Sequence, residues 1–278
     1  MDYKRVLTVQ DISCLGQCSL TVALPILSAA GHETVILPSA VLSTHTGGFT
    51  GYTFRDLTED LPKISAHWQK EGIRFQAIYT GYLGSAEQIA IVQEISKRCA
   101  AEGCRTIVDP AMADNGKLYP GFDMAFVEQM KRLTCQADVI LPNITEACML
   151  TGMPYKEQYD EAYIRKLLDL LRTAGARTIV LTGVSFSADT TGVVVLEGDD
   201  FRYYSHKRYA RGCHGTGDVY ASAFVGALLQ GKSTYDAARI AADYTLRCIE
   251  VTIPDPDHWY GVKFEPVLGE YIRMLETN

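Results

Sequence analysis

The chain has no stretch of about 18 consecutive apolar residues, the length that a membrane-spanning helix needs, and no run of basic residues. Its formal net charge is −7 at pH 7, so its surface repels nucleic-acid phosphates and anionic membranes. The N-terminal residues 1–6 lead into a short strand-like segment and not into the apolar core of a secretion signal. We therefore expect a cytoplasmic protein that binds neither membranes nor nucleic acid.

Pairs of cysteines in the pattern C-x-x-C are also missing, although the chain has 8 cysteines. Because we expect no secretion, these are better interpreted as reduced, mostly buried thiols than as disulfides. No internal repeat, low-complexity tract or linker interrupts the 278 residues, and a hydrophobic content of 47% is typical of a globular protein. We expect a single domain over residues 1–278.

Short apolar segments rich in β-branched residues alternate with segments of helical character. Strands are predicted at Arg5–Gln10, Glu33–Pro38, Phe75–Gly81, Arg105–Val108, Asp138–Pro142, Thr178–Thr182, Gly192–Leu196 and Phe201–Tyr204. Helices are predicted at Ser19–Ala30, Ser85–Cys99, Ala162–Ala174, Asp218–Gln230, Thr234–Glu250 and after Pro266. This alternation indicates an α/β fold with a mostly parallel central sheet and helices on both faces. Pro25 is expected to kink the first helix or to leave one carbonyl unpaired.

Residues suited to ligand binding fall at the ends of these strands. Gly81, Asp109, Asn143 and Thr182 each end a predicted strand. A polar, glycine-rich segment, 43–52, follows the second strand and has too little periodicity for a core element. Ligands bind parallel sheets outside the carboxyl ends of their strands, so we expect the functional site at this edge.

The strongest functional signal is the segment Arg211–Asp218, RGCHGTGD, which opens into an apolar helix. Gly215 and Gly217 let the backbone turn its N–H groups inward, and the helix N-terminus adds partial positive charge, so the segment suits an anion. Asp218 is expected to stay ionised there and to accept a proton. The alternative is a structural turn with an acid in the first helical turn, a position that acids favour.

Gly-Thr-Gly-Asp before a long helix of small residues resembles the signature of the ribokinase-like superfamily. The resemblance implies a three-layer kinase fold in which Asp218 deprotonates the substrate hydroxyl. The backbone N–H groups of Gly215, Thr216 and Gly217 would then hold the transferring phosphate. ATP and Mg²⁺ are implied as phosphate donor and metal, and the need for a monovalent cation such as K⁺ stays open.

The segment Pro142–Glu146 resembles the Asn-x-x-Glu motif of the same superfamily. In that motif, Glu146 would order a magnesium ion through water, which suits an ion that prefers carboxylates and retained waters. A second interpretation, compatible with the first, is a capping box with Asn143 at the N-cap and Glu146 at the third helical position.

Two further strand ends resemble nucleotide contacts. Asp109-Pro110 resembles a segment of pyridoxal kinases whose Asp lies near the phosphates and the metal, although Asp-Pro is also typical of a plain turn. The polar segment Asp114–Tyr119 that follows would cover the site, with Lys117 as a candidate phosphate contact. Thr182-Gly183 resembles the strand end that contacts ATP in this family. A lysine or a serine also occurs at that position, and threonine preserves only the contact made by a hydroxyl.

The pyridoxal kinase branch of the superfamily is the one that the first third of the chain resembles, with the same order and spacing of motifs. The segments that carry this resemblance are Val9-Gln10, Ser43–Gly47 and Thr80–Gln88. In that branch the positions of His45, Thr46 and Tyr82 line the pocket of the pyridine ring, which aromatic and hydroxyl side chains suit. His45 is alternatively a loop histidine satisfied by the backbone. The resemblance, which extends over most of the chain, also suggests a homodimer.

Two residues leave the preferred substrate open. Asp11 stands where pyridoxal kinases commonly have serine, and its carboxylate would favour a protonated ring nitrogen or a cationic amine such as pyridoxamine. Cys213 lies between Arg211 and His214. Its thiol either has a lowered pKa and adds reversibly to the aldehyde of pyridoxal, as in a related subgroup with a lid cysteine, or is an inert small residue.

These residues together predict ATP-dependent phosphorylation of the 5′-hydroxymethyl group of pyridoxal, pyridoxamine or pyridoxine. The nearest alternative is the hydroxymethylpyrimidine kinase of thiamin biosynthesis, which has the same fold, and the segment His45-Thr46-Gly47 argues against it. A second alternative is a vitamer-binding protein without turnover. The presence of Asp218 with the whole glycine loop argues against that, since a binding protein needs no base.

Overall fold

A nine-stranded sheet forms the middle layer of the structure, a computed structural model that describes residues 3–277. In chain order the strands are β1 (Arg5–Ser13), β2 (Glu33–Leu42), β3 (Phe54–Asp56), β4 (Phe75–Thr80), β5 (Ala100–Val108), β6 (Ala113–Asp114), β7 (Lys117–Leu118), β8 (Val139–Ile140), β9 (Thr178–Val184), β10 (Thr190–Glu197) and β11 (Asp200–Lys207). Their order in the sheet is β11-β10-β9-β8-β5-β4-β1-β2-β3, and β6 and β7 form a separate hairpin.

The centre of the sheet is parallel and its edges are antiparallel. The six central strands run parallel to one another; they are β2, β1, β4, β5, β8 and β9. At one edge β3 is antiparallel to β2, and at the other β10 and β11 are antiparallel. The carboxyl ends of the parallel strands therefore lie side by side, as the alternating sequence pattern predicts. The edge that holds the candidate site is this row of strand ends and not the outer strands β3 and β11.

Helices cover both faces of this sheet. Their bounds are α1 (Leu20–Ala29), α2 (Leu61–Lys70), α3 (Ala86–Cys99), α4 (Met124–Thr134), α5 (Ile144–Thr151), α6 (Glu161–Thr173), α7 (Thr216–Leu229), α8 (Thr234–Thr252) and α9 (Leu268–Glu276), with a 3₁₀ turn at Glu265–Val267. Residues of α2 to α6 share one buried apolar cluster with the sheet, and those of α1, α7, α8 and α9 share another on the opposite face. The predicted three-layer α/β fold is confirmed.

Helix α6 illustrates how the local sequence forms these layers. Its N-cap Asp160 accepts a hydrogen bond from the backbone N–H of Tyr163 at 2.9 Å. Its buried residues recur at the spacing of one helical face: Tyr163, Ile164, Leu167, Leu168 and Leu171. Burying such a side chain stabilises the fold by about 1.5–3 kcal/mol relative to leaving it exposed, so this stripe holds the helix on the sheet.

Several boundaries differ from the sequence prediction. Helix α7 begins at Thr216, two residues before the predicted start at Asp218, and β1 continues to Ser13. Helices α2 and α4 were not predicted. In α2 only Leu61 is fully buried, and the sequence analysis missed the short stripe that Ile64 and Trp68 continue; in α4 the N-cap Asp123 is a signal that it also missed. Within residues 3–277, no helix is both long and apolar enough to cross a membrane.

Candidate active site

A ladder of backbone hydrogen bonds continues past the carboxyl ends of the central strands. The backbone N–H of Gly81 donates to the carbonyl of Val9 at 3.2 Å, and that of Asp109 donates to Thr80 at 2.9 Å. Further along the edge, the N–H of Thr182 donates to the carbonyl of Pro142 at 2.9 Å. The structure therefore places the predicted strand-end residues along one edge of the sheet.

The glycine-rich segment reaches the same edge as the N-terminus of α7. Gly215 is the N-cap with φ 76°, and a Cβ there would lie 2.3 Å from the carbonyl oxygen of Gln17, so only glycine fits. The first N–H groups of a helix have no partner inside it; the N–H of Val219 is bonded to the carbonyl of Gly215 at 3.0 Å. Thr216 and Gly217 thus lie in the first helical turn, where anions bind. A Cβ at Gly217 would enter open space, the room that a phosphate needs.

Asp218 lies in this first turn and contacts the loop between β1 and α1. Burial raises the pKa of its carboxyl to about 7; hydrogen bonds from the backbone N–H of Ser19 and from the Cys18 thiol oppose the rise, and the charge of Asp11 adds to it. The expectation that Asp218 is simply ionised therefore needs correction, because burial outweighs the helix dipole. At neutral pH the group is poised between accepting and releasing a proton, which suits a general base.

Ser19 has a strained backbone and is close to two carboxylates, those of Asp11 and Asp218. Its φ of 56° lies in the left-handed region, as does that of Gln17 at 48°, and such a conformation costs about 1–3 kcal/mol in a residue other than glycine. Its hydroxyl opposes the rise that burial causes in the pKa of Asp11, and its N–H opposes the rise for Asp218, because both donors favour the charged carboxylate. The strained loop thus orients both acids, a role for Ser19 and Cys18 that no sequence motif indicated.

Glu146 and Asp109 form a second acidic group. Glu146 is 2% exposed; its Oε1 accepts from the N–H of Met112 at 3.1 Å and its Oε2 from the N–H of Asn143 at 2.9 Å. The Asn143 side chain accepts from the N–H of Glu146 in return, at 2.9 Å, which completes the predicted capping box. Burial, with Glu146 and Asp218 nearby, holds the pKa of Asp109 well above its ordinary value, and burial also raises the pKa of Glu146.

These carboxylates fit a magnesium ion that is shared with a nucleotide. Within residues 3–277, no group of three or more His, Cys, Asp or Glu could hold a metal by itself. Mg²⁺ commonly uses one or two carboxylates with waters and substrate phosphates. A cation beside Glu146 and Asp109 would remove the repulsion that raises the pKa of Asp109, so the donor set suits that mode of binding.

A short hairpin covers this acidic group. Strands β6 and β7 join through Asn115 and Gly116, both with positive φ, and the N–H of Gly116 donates to Thr145 Oγ1 at 3.0 Å. Burial and then the charge of Glu146, ahead of those of other nearby acids, raise the pKa of Tyr119, which follows the hairpin. The hairpin's Lys117 is exposed; its contact with phosphate stays a prediction.

The candidate substrate pocket lies around Asp11 and Tyr82. Asp11 is 5% exposed, and its carboxylate accepts from Ser13 Oγ at 3.0 Å. Burial and then the charge of Asp11 raise the pKa of Tyr82 to about 12. The Tyr82 ring lies 5.5 Å from that of Phe122. The two predicted pocket residues are thus electrostatic neighbours.

His45 is held by the backbone at both ring nitrogens. Its Nδ1 accepts from the N–H of Gly47 at 3.0 Å, so its Nε2 carries the proton that is donated to the carbonyl of Tyr260, 2.6 Å away. The geometry therefore favours the backbone-satisfied alternative, and neither ring nitrogen of this buried side chain is free for a ligand. Thr46 beside it is exposed.

Cys213 and the end of β9 complete the predicted set. Burial raises the pKa of the Cys213 thiol, and Arg211 opposes this to a smaller extent, so of the two alternatives the inert small residue is favoured over a thiol with a lowered pKa. Thr182 Oγ1 lies 3.4 Å from the carbonyl of Pro142. Gly183 has φ 73° with open space at its Cβ position, which leaves room for a nucleotide.

Tyr79, which the sequence analysis missed, lies beneath the site. Its hydroxyl and that of Ser222 are buried, and neither has a hydrogen-bond partner of good geometry within residues 3–277. Burial, with Asp109 and Asp218 nearby, raises the pKa of Tyr79 well above its ordinary value. Sequence analysis does not single out this hydroxyl, because a tyrosine in an apolar, buried strand is usually part of the core.

Comparisons with known proteins place this geometry in context. A family model described as phosphomethylpyrimidine kinase matches residues 33–262. The chain is 28% identical to a pyridoxine/pyridoxal/pyridoxamine kinase of Bordetella bronchiseptica, with 89% of each chain covered. Its fold is similar to a crystal structure of pyridoxal kinase from Lactobacillus plantarum, with a TM-score of 0.91, 32% identity and 98% of each chain covered.

A suggested phosphomethylpyrimidine kinase from Bacteroides thetaiotaomicron, in a crystal form with pyridoxal, is also similar. The TM-score is 0.90 at 36% identity, and the match covers 99% of this chain and 96% of the other. The two structural similarities cover nearly the whole chain, whereas the family match begins at residue 33, after Asp11 and Ser19.

Proposed function

The chain belongs to the phosphomethylpyrimidine kinase family, and on that premise we propose that it transfers the γ-phosphate of ATP to the 5′-hydroxymethyl group of B6 vitamers. Kinase chemistry follows from the family. The observation that carries the proposal is the position of Asp218, a carboxyl with a pKa of about 7 in the first turn of α7. A base near neutral pH, beside unpaired helix N–H groups, suits phosphoryl transfer to an alcohol.

In the proposed reaction, Asp218 takes the proton of the 5′-hydroxyl as the hydroxyl oxygen bonds to the γ-phosphorus. The bond from that phosphorus to the bridging oxygen breaks, and ADP leaves with the electron pair. The N–H groups of Gly215, Thr216 and Gly217 hold the charge on the transferring group. Asn143, Thr182 and Gly183 would contact the nucleotide.

Magnesium, when bound, would neutralise charge on the phosphates. Glu146 and Asp109 would hold it. Burial raises the pKa of both carboxyls, and a bound cation would stabilise their ionised forms. A monovalent cation such as K⁺ is a further requirement that activity assays with different salts would measure.

A B6 vitamer is proposed over the pyrimidine because a relative 36% identical was crystallised with pyridoxal. Asp11, Tyr82 and the ring of His45 would surround the vitamer, with Thr46 and Cys213 at its margin. The proposal includes the three vitamers and a homodimer in the cytoplasm, which would place the protein in vitamin B6 salvage.

The test is ATP consumption with Mg²⁺ against pyridoxal, pyridoxamine, pyridoxine and hydroxymethylpyrimidine in parallel. We expect turnover on the vitamers, and in Asp218→Ala a kcat lower by about 10²–10⁴ with little change in KM. The exposed Asp199 provides a matched control, because Asp199→Ala removes a carboxylate far from the site.

Each alternative has its own outcome. Turnover on the pyrimidine alone would assign the chain to thiamin biosynthesis. Vitamer binding without ATP consumption would identify a binding protein. Full turnover in Asp218→Ala would leave the kinase activity but remove the assigned base. Sedimentation velocity of the purified protein tests the homodimer separately.

A further inference from the structure

Arg211, four residues before Gly215, binds a distant segment of backbone. Its Nη1 donates to the carbonyls of Ile253 and Asp255, each at 3.2 Å. Its Nη2 donates to those of Pro256 and His258, each at 3.4 Å. We call residues 253–261 the cover segment. One guanidinium thus binds four backbone carbonyls within it.

The cover segment lies on the loop that carries His45. The carbonyl of Tyr260 accepts the hydrogen bond from His45 Nε2 at 2.6 Å. The ring of Trp259 lies 4.7 Å from that of Phe49, and a Cβ at Gly48 would be only 2.8 Å from the Trp259 ring. The orientation of His45 and an aromatic surface beside it both depend on where this segment lies.

The same segment also contacts the loop between β1 and α1. A Cβ at Gly261 would lie 2.6 Å from the carbonyl oxygen of Gly16. That loop in turn packs its Gln17 carbonyl against Gly215 at the start of α7. A continuous set of contacts therefore runs from Arg211 through the cover segment to the loop that carries His45 and to the loop between β1 and α1.

We propose that Arg211 is a positioning residue for the substrate pocket: it holds the cover segment so that Tyr260 fixes His45, and Trp259 with Phe49 forms an aromatic wall for a flat heteroaromatic ring. The inference rests on the proposed function for the identity of that ring. The fork of the guanidinium is what the role requires, because it can donate to several carbonyls at once. Phosphate binding by Arg211 is the competing role, and its Nη1 and Nη2 groups already donate to backbone carbonyls.

The experiment compares Arg211→Lys and Arg211→Ala with Arg172→Ala, a control that removes an exposed arginine from α6. All are made in Trp68→Phe, which leaves Trp259 as the single tryptophan of the two in the chain. Pyridoxine binding without nucleotide is followed by Trp259 fluorescence, and steady-state kinetics give KM and kcat. We expect the Kd and KM for pyridoxine to rise about tenfold or more in both Arg211 variants, with kcat and the KM for ATP within about threefold.

A double-mutant cycle between Arg211→Ala and Trp259→Leu keeps the inference testable if one variant is poorly stable. If Arg211 acts through the cover segment, the two losses in pyridoxine KM are not additive. Additive losses, or an unchanged Kd in both Arg211 variants, would overturn the inference. So would a large fall in kcat with a raised KM for ATP, the result expected for phosphate binding. Failure of the parent protein to bind any vitamer would instead contradict the proposed function.

Discussion

Asp218 has to be buried enough to exclude water and yet able to lose its proton. Burial favours the neutral acid, while the Ser19 N–H and the Cys18 thiol favour the carboxylate, and the balance is a pKa of about 7. The charge of Asp11 on β1 also opposes ionisation of Asp218, and the charge of Asp218 in turn helps to raise the pKa of Asp109 after β5. This value places the titration of the proposed base in the physiological range.

We predict that turnover falls on the acidic side of about pH 7, because protonated Asp218 cannot accept the substrate proton. The measurement is kcat against pH with saturating substrates. Cys18→Ala removes a donor to the carboxylate and should move this limb to higher pH, whereas Cys18→Ser keeps a donor and should restore it. A limb that stays near pH 4 in all three proteins would show that Asp218 is not the titrating base.

The same raised pKa predicts a cost in stability. A carboxyl whose pKa is higher in the folded state stabilises the fold below its unfolded pKa of 3.8, and this contribution is lost as the pH rises through about 7. Asp218→Asn cannot ionise, so we expect it to be more stable than the parent at pH 8 by on the order of 1–3 kcal/mol. Urea unfolding at pH 5 and pH 8 measures this, and the gain should shrink at pH 5.

Asp199→Asn provides the control for that measurement. The Asp199 side chain is 99% exposed, so its neutralisation should give no comparable pH-dependent gain. An Asp218→Asn variant that is less stable than the parent at pH 8 would mean that the carboxylate is better solvated or paired than the structure indicates.

At the scale of elements, the N-cap of α5 combines a structural role with a proposed nucleotide contact. Asn143 caps the helix and also donates from Nδ2 to the carbonyl of Ala113 at 2.8 Å, which anchors the hairpin over the site. Asp160 caps α6 by the same interaction, with Tyr163 N at 2.9 Å. The two caps are therefore a matched pair, one at the site and one outside the proposed contacts.

We predict that Asn143→Ala and Asp160→Ala each destabilise the fold by about 1 kcal/mol. Only Asn143→Ala should also raise the KM for ATP or lower kcat, because it releases the hairpin and removes a nucleotide contact. Thermal unfolding and steady-state kinetics on both variants test this. Equal activity in the Asn143→Ala and Asp160→Ala variants would show that Asn143 acts only as a helix cap.

At the scale of the whole molecule, both layers of helices depend on one sheet. The apolar faces of α2 to α6 and of α1, α7, α8 and α9 are buried against its opposite sides. Each layer also contributes to the site, α5 with Glu146 and α7 with Asp218. Neither layer can bury its apolar face without the sheet, so the predicted single domain should unfold as a unit.

We therefore predict a single cooperative transition in urea, with coincident curves from tryptophan fluorescence and far-ultraviolet circular dichroism. Trp68 in α2 packs against the apolar cluster of the α2 to α6 layer, and Trp259→Phe leaves it as the single tryptophan of the two in the chain. If the Trp68 fluorescence changes well before the circular dichroism does, that layer unfolds separately and the single-domain prediction is wrong.

The sequence by itself determined the fold class, the edge of the sheet that holds the site and the glycine loop with Asp218. Periodicity of two and of 3.6 residues is local, and strand-end residues of parallel strands must meet at one edge. Local patterns also predicted the capping box of Asn143 and Glu146. They missed α2, whose apolar stripe is limited to the buried Leu61 and the partly buried Ile64 and Trp68.

The tertiary structure alone decided the electrostatics and the contacts of the site. The pKa of Asp218 depends on burial beneath the strained loop at Ser19, which lies about 200 residues away in the chain. The Nε2 of His45 is held by the carbonyl of Tyr260, 215 residues further along. The interactions of Arg211 with four carbonyls are also long-range. No pattern of neighbouring residues encodes such pairs, because packing brings them together only after the layers have assembled.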